Sequence, residues 1–265
     1  MELRKKKEVY VPKTGLTGTG YDYRVYHVKL KEKLVCWLVG IAAGVIVGWV
    51  FYERLIAMVL FAVICAAAAV PVWRNNRIQK QQDTILHQFL SMLESLSSSL
   101  GSGSNVFDAF VRASEDVRNR YTDESFIAKE MEIINDGYSN MSLSYEALLK
   151  DFGERSCQED IQDFANVFET CNAVGGDIRE VIKNTYQVLN DKISIKLDIK
   201  TMVTSQKTEQ NAMLVMPVIF VFLLKKMGSD IIDLRSTTGM ITTTVALALF
   251  VIAYFLSKKI LNIKA

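Results

Sequence analysis

The sequence predicts an all-α integral membrane protein, with a cytoplasmic bundle of about six helices between two pairs of transmembrane helices. Three observations carry that expectation. Leu34–Tyr52 and Leu55–Trp73 are apolar and uncharged, with only Glu53-Arg54 between them. A second apolar pair follows near the other end of the chain, roughly Ala212–Leu224 and Met240–Leu256. The long polar stretch between the pairs is patterned at the period of a helix. The expected divisions are a basic cytoplasmic segment (1–33), a transmembrane hairpin of two spans (34–73), a cytoplasmic bundle (74–210), a second transmembrane pair (211–257) and a cytoplasmic tail (258–265).

The first segment is basic and carries a Gly/Thr patch at Thr14–Gly20, followed by Tyr21, Tyr23, Val25, Tyr26, Val28 and Leu30. It reads as a flexible tail with some order near the membrane, or else as a segment lying on anionic lipid, at about 1 kcal/mol per basic residue near the surface.

The spans come next. Each of Leu34–Tyr52, Leu55–Trp73 and Met240–Leu256 is about long enough to cross ~30 Å of hydrocarbon as a helix. A single charge at a span centre costs roughly 2.5–3.5 kcal/mol, and all three are free of charge. A core helix of a soluble protein usually shows a polar stripe, and these show none. Gly40, Gly44 and Gly48 share one helical face, which lets a second helix approach closely. The face suits packing inside the hairpin, against Ala62, Ala66 and Ala69, or a subunit interface; packing within the chain is the preferred reading. Ala212–Leu224 is short, contains Pro217 and ends in Lys225-Lys226. It fits a full span with snorkelling lysines or a re-entrant segment, and the unbroken helical pattern upstream favours the span.

Charge placement sets the orientation. Arg4 to Lys7, Lys29, Lys31 and Lys33 precede the first span; Arg74, Arg77 and Lys80 follow the second; Lys258, Lys259 and Lys264 follow the last. All three segments are therefore expected in the cytoplasm, which requires an even number of crossings and places both termini inside.

Within the bundle, Leu86, Phe89, Leu90, Leu93, Leu96 and Leu100 form one helical stripe that ends at Gly101-Ser-Gly103-Ser104. Asn105 is placed to cap a second helix carrying Phe107, Phe110 and Val111. A third carries Ile127, Met131, Ile134 and Tyr138, with Gly137 and Ser139-Asn140 at its expected end. A fourth carries Tyr145, Leu148, Leu149 and Phe152. A fifth carries Ile161, Phe164, Ala165, Phe168 and Cys171 and stops at Gly175-Gly176. Asp177 with Glu180 reads as a capping box opening a sixth, which carries Ile178, Val181, Ile182, Tyr186, Leu189 and Ile193. The start Ser104-Asn-Val-Phe107-Asp108-Ala109-Phe110 is echoed by Ser142-Leu-Ser-Tyr145-Glu146-Ala147-Leu148, as in a repeated helix–loop–helix unit.

Catalytic chemistry finds little support. Gly101-Ser-Gly103 lacks a following GK[ST] and a preceding strand, so it reads as a turn and not a phosphate loop. His27 and His87 lie in different segments, and no HExxH or paired-cysteine spacing occurs. The four cysteines suggest no disulfide framework. Acids such as Glu94, Asp108, Glu130, Asp136 and Asp160 read as solvated helix faces. No enzyme activity, cofactor or metal site is expected. Basic residues do not cluster with aromatics, so neither is nucleic-acid binding.

These features together resemble the type II secretion system F domain family, in the branch of Tad-type (tight-adherence) pilus platform proteins. The resemblance rests on Gln88–Leu93 through Leu100-Gly-Ser-Gly103-Ser, Phe107-Asp-Ala-Phe110, Asp136-Gly137 followed by Ser142 and Tyr145-Glu-Ala-Leu148, and Phe164 to Val181 with its Val174-Gly-Gly-Asp-Ile-Arg-Glu-Val181 ending. It covers about Ile85 to Lys207 and the flanking spans, and leaves the first 33 residues unaccounted for. It implies a non-enzymatic platform in the inner (cytoplasmic) membrane, acting in pilus assembly or protein secretion. The implied partners are a secretion ATPase in trans, pilin-like subunits, and further copies of the chain or a second platform subunit. Phe107, Asp108, Tyr145, Glu146, Gly175, Gly176 and Asp177 are the candidate contact residues. Two rivals stand beside it: a transporter or channel subunit, for which Thr242–Thr244 is the one polar span cluster, and a membrane-anchored signalling scaffold.

Overall fold

The computed structural model describes residues 14–26, 30–52, 55–227 and, between 239 and 257, residues 239, 241–242, 244–246, 248–250, 252–253 and 256–257. Among the described residues every regular element is a helix and none is a strand. Seven α-helices are bounded: α1 (Leu30–Tyr52), α2 (Leu55–Gly101), α3 (Val106–Tyr121), α4 (Phe126–Asn140), α5 (Tyr145–Ser156), α6 (Glu159–Val174) and α7 (Ile178–Met227). The expected tail 258–265 and much of Met240–Leu256 lie outside the described residues.

The chain divides into two compact units, Met1–His27 with Asn76–Ile193 and Val28–Asn75 with Ser194–Ala265. In the second unit, α1 and the start of α2 meet along the glycine face. A Cβ on Gly40 would lie 2.9 Å from Ala66 Cα, one on Gly44 2.6 Å from Ala62 Cα, and one on Gly48 2.6 Å from Met58 Cα. Only glycine permits backbones this close. Much of the remaining surface is exposed, including Leu34, Leu38, Ile56, Val59 and Val63. α1 and the apolar part of α2 are long and apolar enough to cross a membrane, and only 28% and 11% of their most apolar stretches are buried. A core helix would be mostly covered. The Tyr52 hydroxyl lies 3.0 Å from that of Thr244, so one member of the polar span cluster is engaged inside this unit. The run Ala212–Leu224 lies within α7, which continues as helix past Pro217 to Met227.

The first unit is the helical bundle. The apolar stripes close on one core: Ile85, Phe89, Met92, Leu93 and Leu96 from α2, Phe110 from α3, Met131 and Ile134 from α4, Leu149 and Phe152 from α5, Phe164 and Phe168 from α6, and Ile182 and Leu189 from α7. Short connections make α3 and α4, α4 and α5, and α5 and α6 packed neighbours. Local side chains start the helices. Asn105 accepts from the Asp108 amide at 2.8 Å, and Ser125 and Ser144 cap α4 and α5 in the same way. Gly175, at φ +71°, ends α6 in the left-handed conformation that glycine adopts at no steric cost.

α4 ends at Asn140, at the Ser139-Asn140 stop expected for it. Gly137 lies inside its last turn, buried where its missing Cβ makes room for the Leu148 side chain; a Cβ there would lie 2.7 Å from Leu148 Cδ2. Two local expectations differ from the structure. The two echoed helix starts are capped by Asn105 and Ser144, so the caps set them one residue out of the alignment suggested by Phe107 and Tyr145. The N-terminal stretch is neither a loose tail nor a lipid-lying segment over residues 14–26. It folds across the bundle, with Tyr23 fully buried in its core.

Candidate functional site

The α3 and α5 starts converge on an aromatic ladder. Tyr145, the first residue of α5, lies flat between Phe110 and Tyr138, with ring centroids at 4.3 Å and 4.2 Å. Phe107 continues the ladder against Tyr138 at 5.6 Å. Its inner members, Phe110 and Tyr145, are buried, while Phe107 and Tyr138 are each 40% exposed, so the ladder runs from core to surface. The outer pair lines a shallow depression with Ser139, Ser142, Leu143 and Ser144. Burial, with a smaller push from Tyr138, holds the Tyr145 hydroxyl well above the ordinary tyrosine range, so it stays neutral.

The acids flank this ladder. Asp108 is exposed and closes a reciprocal cap with Asn105, whose Nδ2 donates to Asp108 Oδ2 at 2.8 Å. Glu146 is half-buried and accepts from Asn172 in the last turn of α6. Gly175, Gly176 and Asp177 follow that turn and are exposed, and Asp177 Oδ1 accepts from the Arg179 amide at 2.9 Å as α7 begins. Phe107 and Tyr145 are therefore joined through Tyr138, and Glu146 reaches the end of α6. Asp108 meets Asn105, in its own cap.

A second constellation escaped the sequence reading. Glu130, expected on a solvated helix face, is completely buried. It sits on the same face of α4 as Ile127 and Ile134, where it meets the equally buried Arg155 of α5. The guanidinium makes four hydrogen bonds. Nη1 and Nη2 each donate to Glu130 at 2.7 Å, Nε donates to Asp151 Oδ2 at 2.8 Å, and Nη1 also donates to the Tyr21 carbonyl at 3.0 Å. The Tyr23 hydroxyl donates to Glu130 Oε1 at 3.0 Å. Burial pushes the Glu130 carboxyl up, while the Arg155 hydrogen bonds and the Tyr23 hydroxyl pull against it. Burial also works against the Arg155 charge, but Glu130 and Asp151 outweigh it. The bidentate geometry holds the pair as carboxylate and guanidinium. Burial and then Glu130 keep the Tyr23 hydroxyl well above its ordinary value, as a donor. The available signal was a charge on an apolar stripe: Arg155 falls in register with Leu148 and Phe152.

The remaining ion pairs, including Arg120–Glu94, Lys150–Glu169 and Lys192–Asp160, are largely exposed and worth little each. His87 is exposed on α2, and all four cysteines are free. Among the described residues no group of three or more His, Cys, Asp or Glu side chains is placed to hold a metal ion. Comparison of the chain with protein-family models, with curated proteins and with solved structures finds no match in any of the three.

Proposed function

We propose that the chain is a non-enzymatic platform protein of a Tad-type pilus or type II secretion-like machine, seated by four spans in the cytoplasmic membrane with both termini inside. It couples a cytoplasmic secretion ATPase, acting in trans, to the assembly of pilin-like subunits or to protein secretion. The observation that carries this reading is continuity. α2 holds an uncharged apolar length and a core stripe of the bundle in one helix, and α7 does the same in reverse order. A push on the bundle then has two helices along which to reach the bilayer. The aromatic ladder with its acid flanks offers a firm surface to push against, because its exposed members are backed by buried ones.

The test is charge reversal at Asp108 and Glu146. The double variant D108K/E146K is expected to keep its fold and lose ATPase binding, read by co-purification, together with filament or secretion output. Binding and output at the level of the unaltered chain would remove this surface from the reading. The presence of pilin and secretion-ATPase genes beside this one is the cheapest independent check on the platform assignment itself.

A further inference from the structure

The buried Glu130–Arg155 pair is sealed by a segment that barely belongs to the core. Tyr23 is the only residue of 14–26 in the apolar core. Leu16 and Tyr21 are partly exposed, at 59% and 44%. The segment is held by the Tyr21 and Tyr23 rings against Phe126, by Gln81 Nε2 of α2, which donates to the Tyr21 hydroxyl at 3.1 Å, and by polar contacts to one patch of α4 and α5. The Leu16 amide donates to Asp151 Oδ1 at 3.1 Å and the Tyr23 amide to the Arg155 carbonyl at 3.1 Å. The Tyr21 carbonyl and the Tyr23 hydroxyl complete the sets of Arg155 and Glu130. Its own internal bonds are short-range: Gly18 to Gly15 and Gly20 to Thr14. Gly20 passes so close that a Cβ would lie 2.6 Å from Arg155 Cζ. The bundle keeps its full set of helix-to-helix apolar contacts without this segment, so removing it costs far less than unfolding the bundle.

We propose that residues 14–26 are a latch that opens as one unit while the bundle stays folded, uncovering a dry carboxylate–guanidinium pair on α4 and α5. The connection to α1 gives the latch its consequence. Four residue steps separate Tyr26 from Leu30, at most about 14 Å of extended chain, so α1 cannot move farther than that from the latch seat unless the latch lets go.

Hydrogen exchange on the full chain in lipid nanodiscs tests this, resolved to single amides. The Leu16 and Tyr23 amides are expected to exchange at one common rate, at least tenfold faster than the Leu149 and Phe152 amides of α5. Tyr23→Phe, which removes the bond to Glu130, is expected to speed the latch amides a further tenfold and leave α5 unchanged. Gly20→Ala, which keeps the Tyr23 hydroxyl and sets a methyl group against the Arg155 guanidinium, is expected to do the same by steric pressure. Latch and α5 amides that exchange together, and that shift together in both variants, would overturn the proposal.

Discussion

At the residue scale, the bundle depends on a few polar side chains placed where apolar ones would be cheaper. Removing one partner of a buried ion pair leaves the other charged and alone, which costs roughly 3–5 kcal/mol, whereas exchanging both for apolar residues of similar volume is often close to neutral. Glu130→Ala is therefore expected to lower the unfolding free energy of the bundle by about 3–5 kcal/mol. Glu130→Leu with Arg155→Met is expected to cost less than either single change, as read by denaturant melts in detergent. Tyr23 supplies a pH dependence whose sign is fixed. Its folded-state pKa is raised, so the unfolded chain gives up this proton first. Stability is complete below the ordinary tyrosine value near 10 and falls as pH rises beyond it, by about 1.4 kcal/mol per pH unit for one such group. Lysines titrate in the same range, so the expected observation is a difference: the alkaline slope is shallower in Tyr23→Phe than in the unaltered chain.

At the element scale, what was legible in the sequence is what the neighbours in sequence decide. Asn105 caps α3 through an amide three residues away, and Gly175 ends α6 through its own φ, so both boundaries could be read from short windows. The apolar stripes were legible for the same reason, since a helix repeats its face every three to four residues. The packing role of Gly137 was not legible, because it is set by Leu148, on another helix. The latch was invisible because its partners are far along the chain: Tyr23 reaches Glu130 and the Tyr21 carbonyl reaches Arg155 across more than a hundred residues. In the candidate site the ladder's members could be named individually, but not Tyr138 as the ring that joins them. The glycine face of α1 makes the element-scale prediction. A side chain at Gly44 meets the backbone of Ala62, which cannot move aside without parting the helices. Gly44→Leu is expected to destabilise the hairpin by about 1–3 kcal/mol, in the range for overpacked contacts. A Cβ on Gly101 meets nothing within 4 Å, so Gly101→Ala is the matched control and is expected to leave the melting temperature nearly unchanged.

At the scale of the whole molecule, the latch and the platform reading make a joint demand. If the machine works by displacing α1 from the bundle by more than the connecting chain can span, each working cycle has to open the latch. Arg24 lies against Cys157 at the end of α5, which marks a place to lock it. The chain would carry Arg24→Cys, with Cys36, Cys65 and Cys171 changed to alanine, and a short, reducible bis-maleimide would join the new cysteine to Cys157. Filament or secretion output is expected to stop on cross-linking and to return on reduction. A Gly-Ser insert of about ten residues after Val28 lengthens the reach of the connection by up to about 35 Å. In that longer chain α1 can move with the latch still shut, so output is expected to survive the cross-link. Loss of output in both chains would mean that the latch must open for a reason other than reach, such as exposing Glu130 and Arg155 to a partner. Undiminished output in the locked chain without the insert would show that the latch stays closed through the cycle and that α1 moves by less than the connection allows.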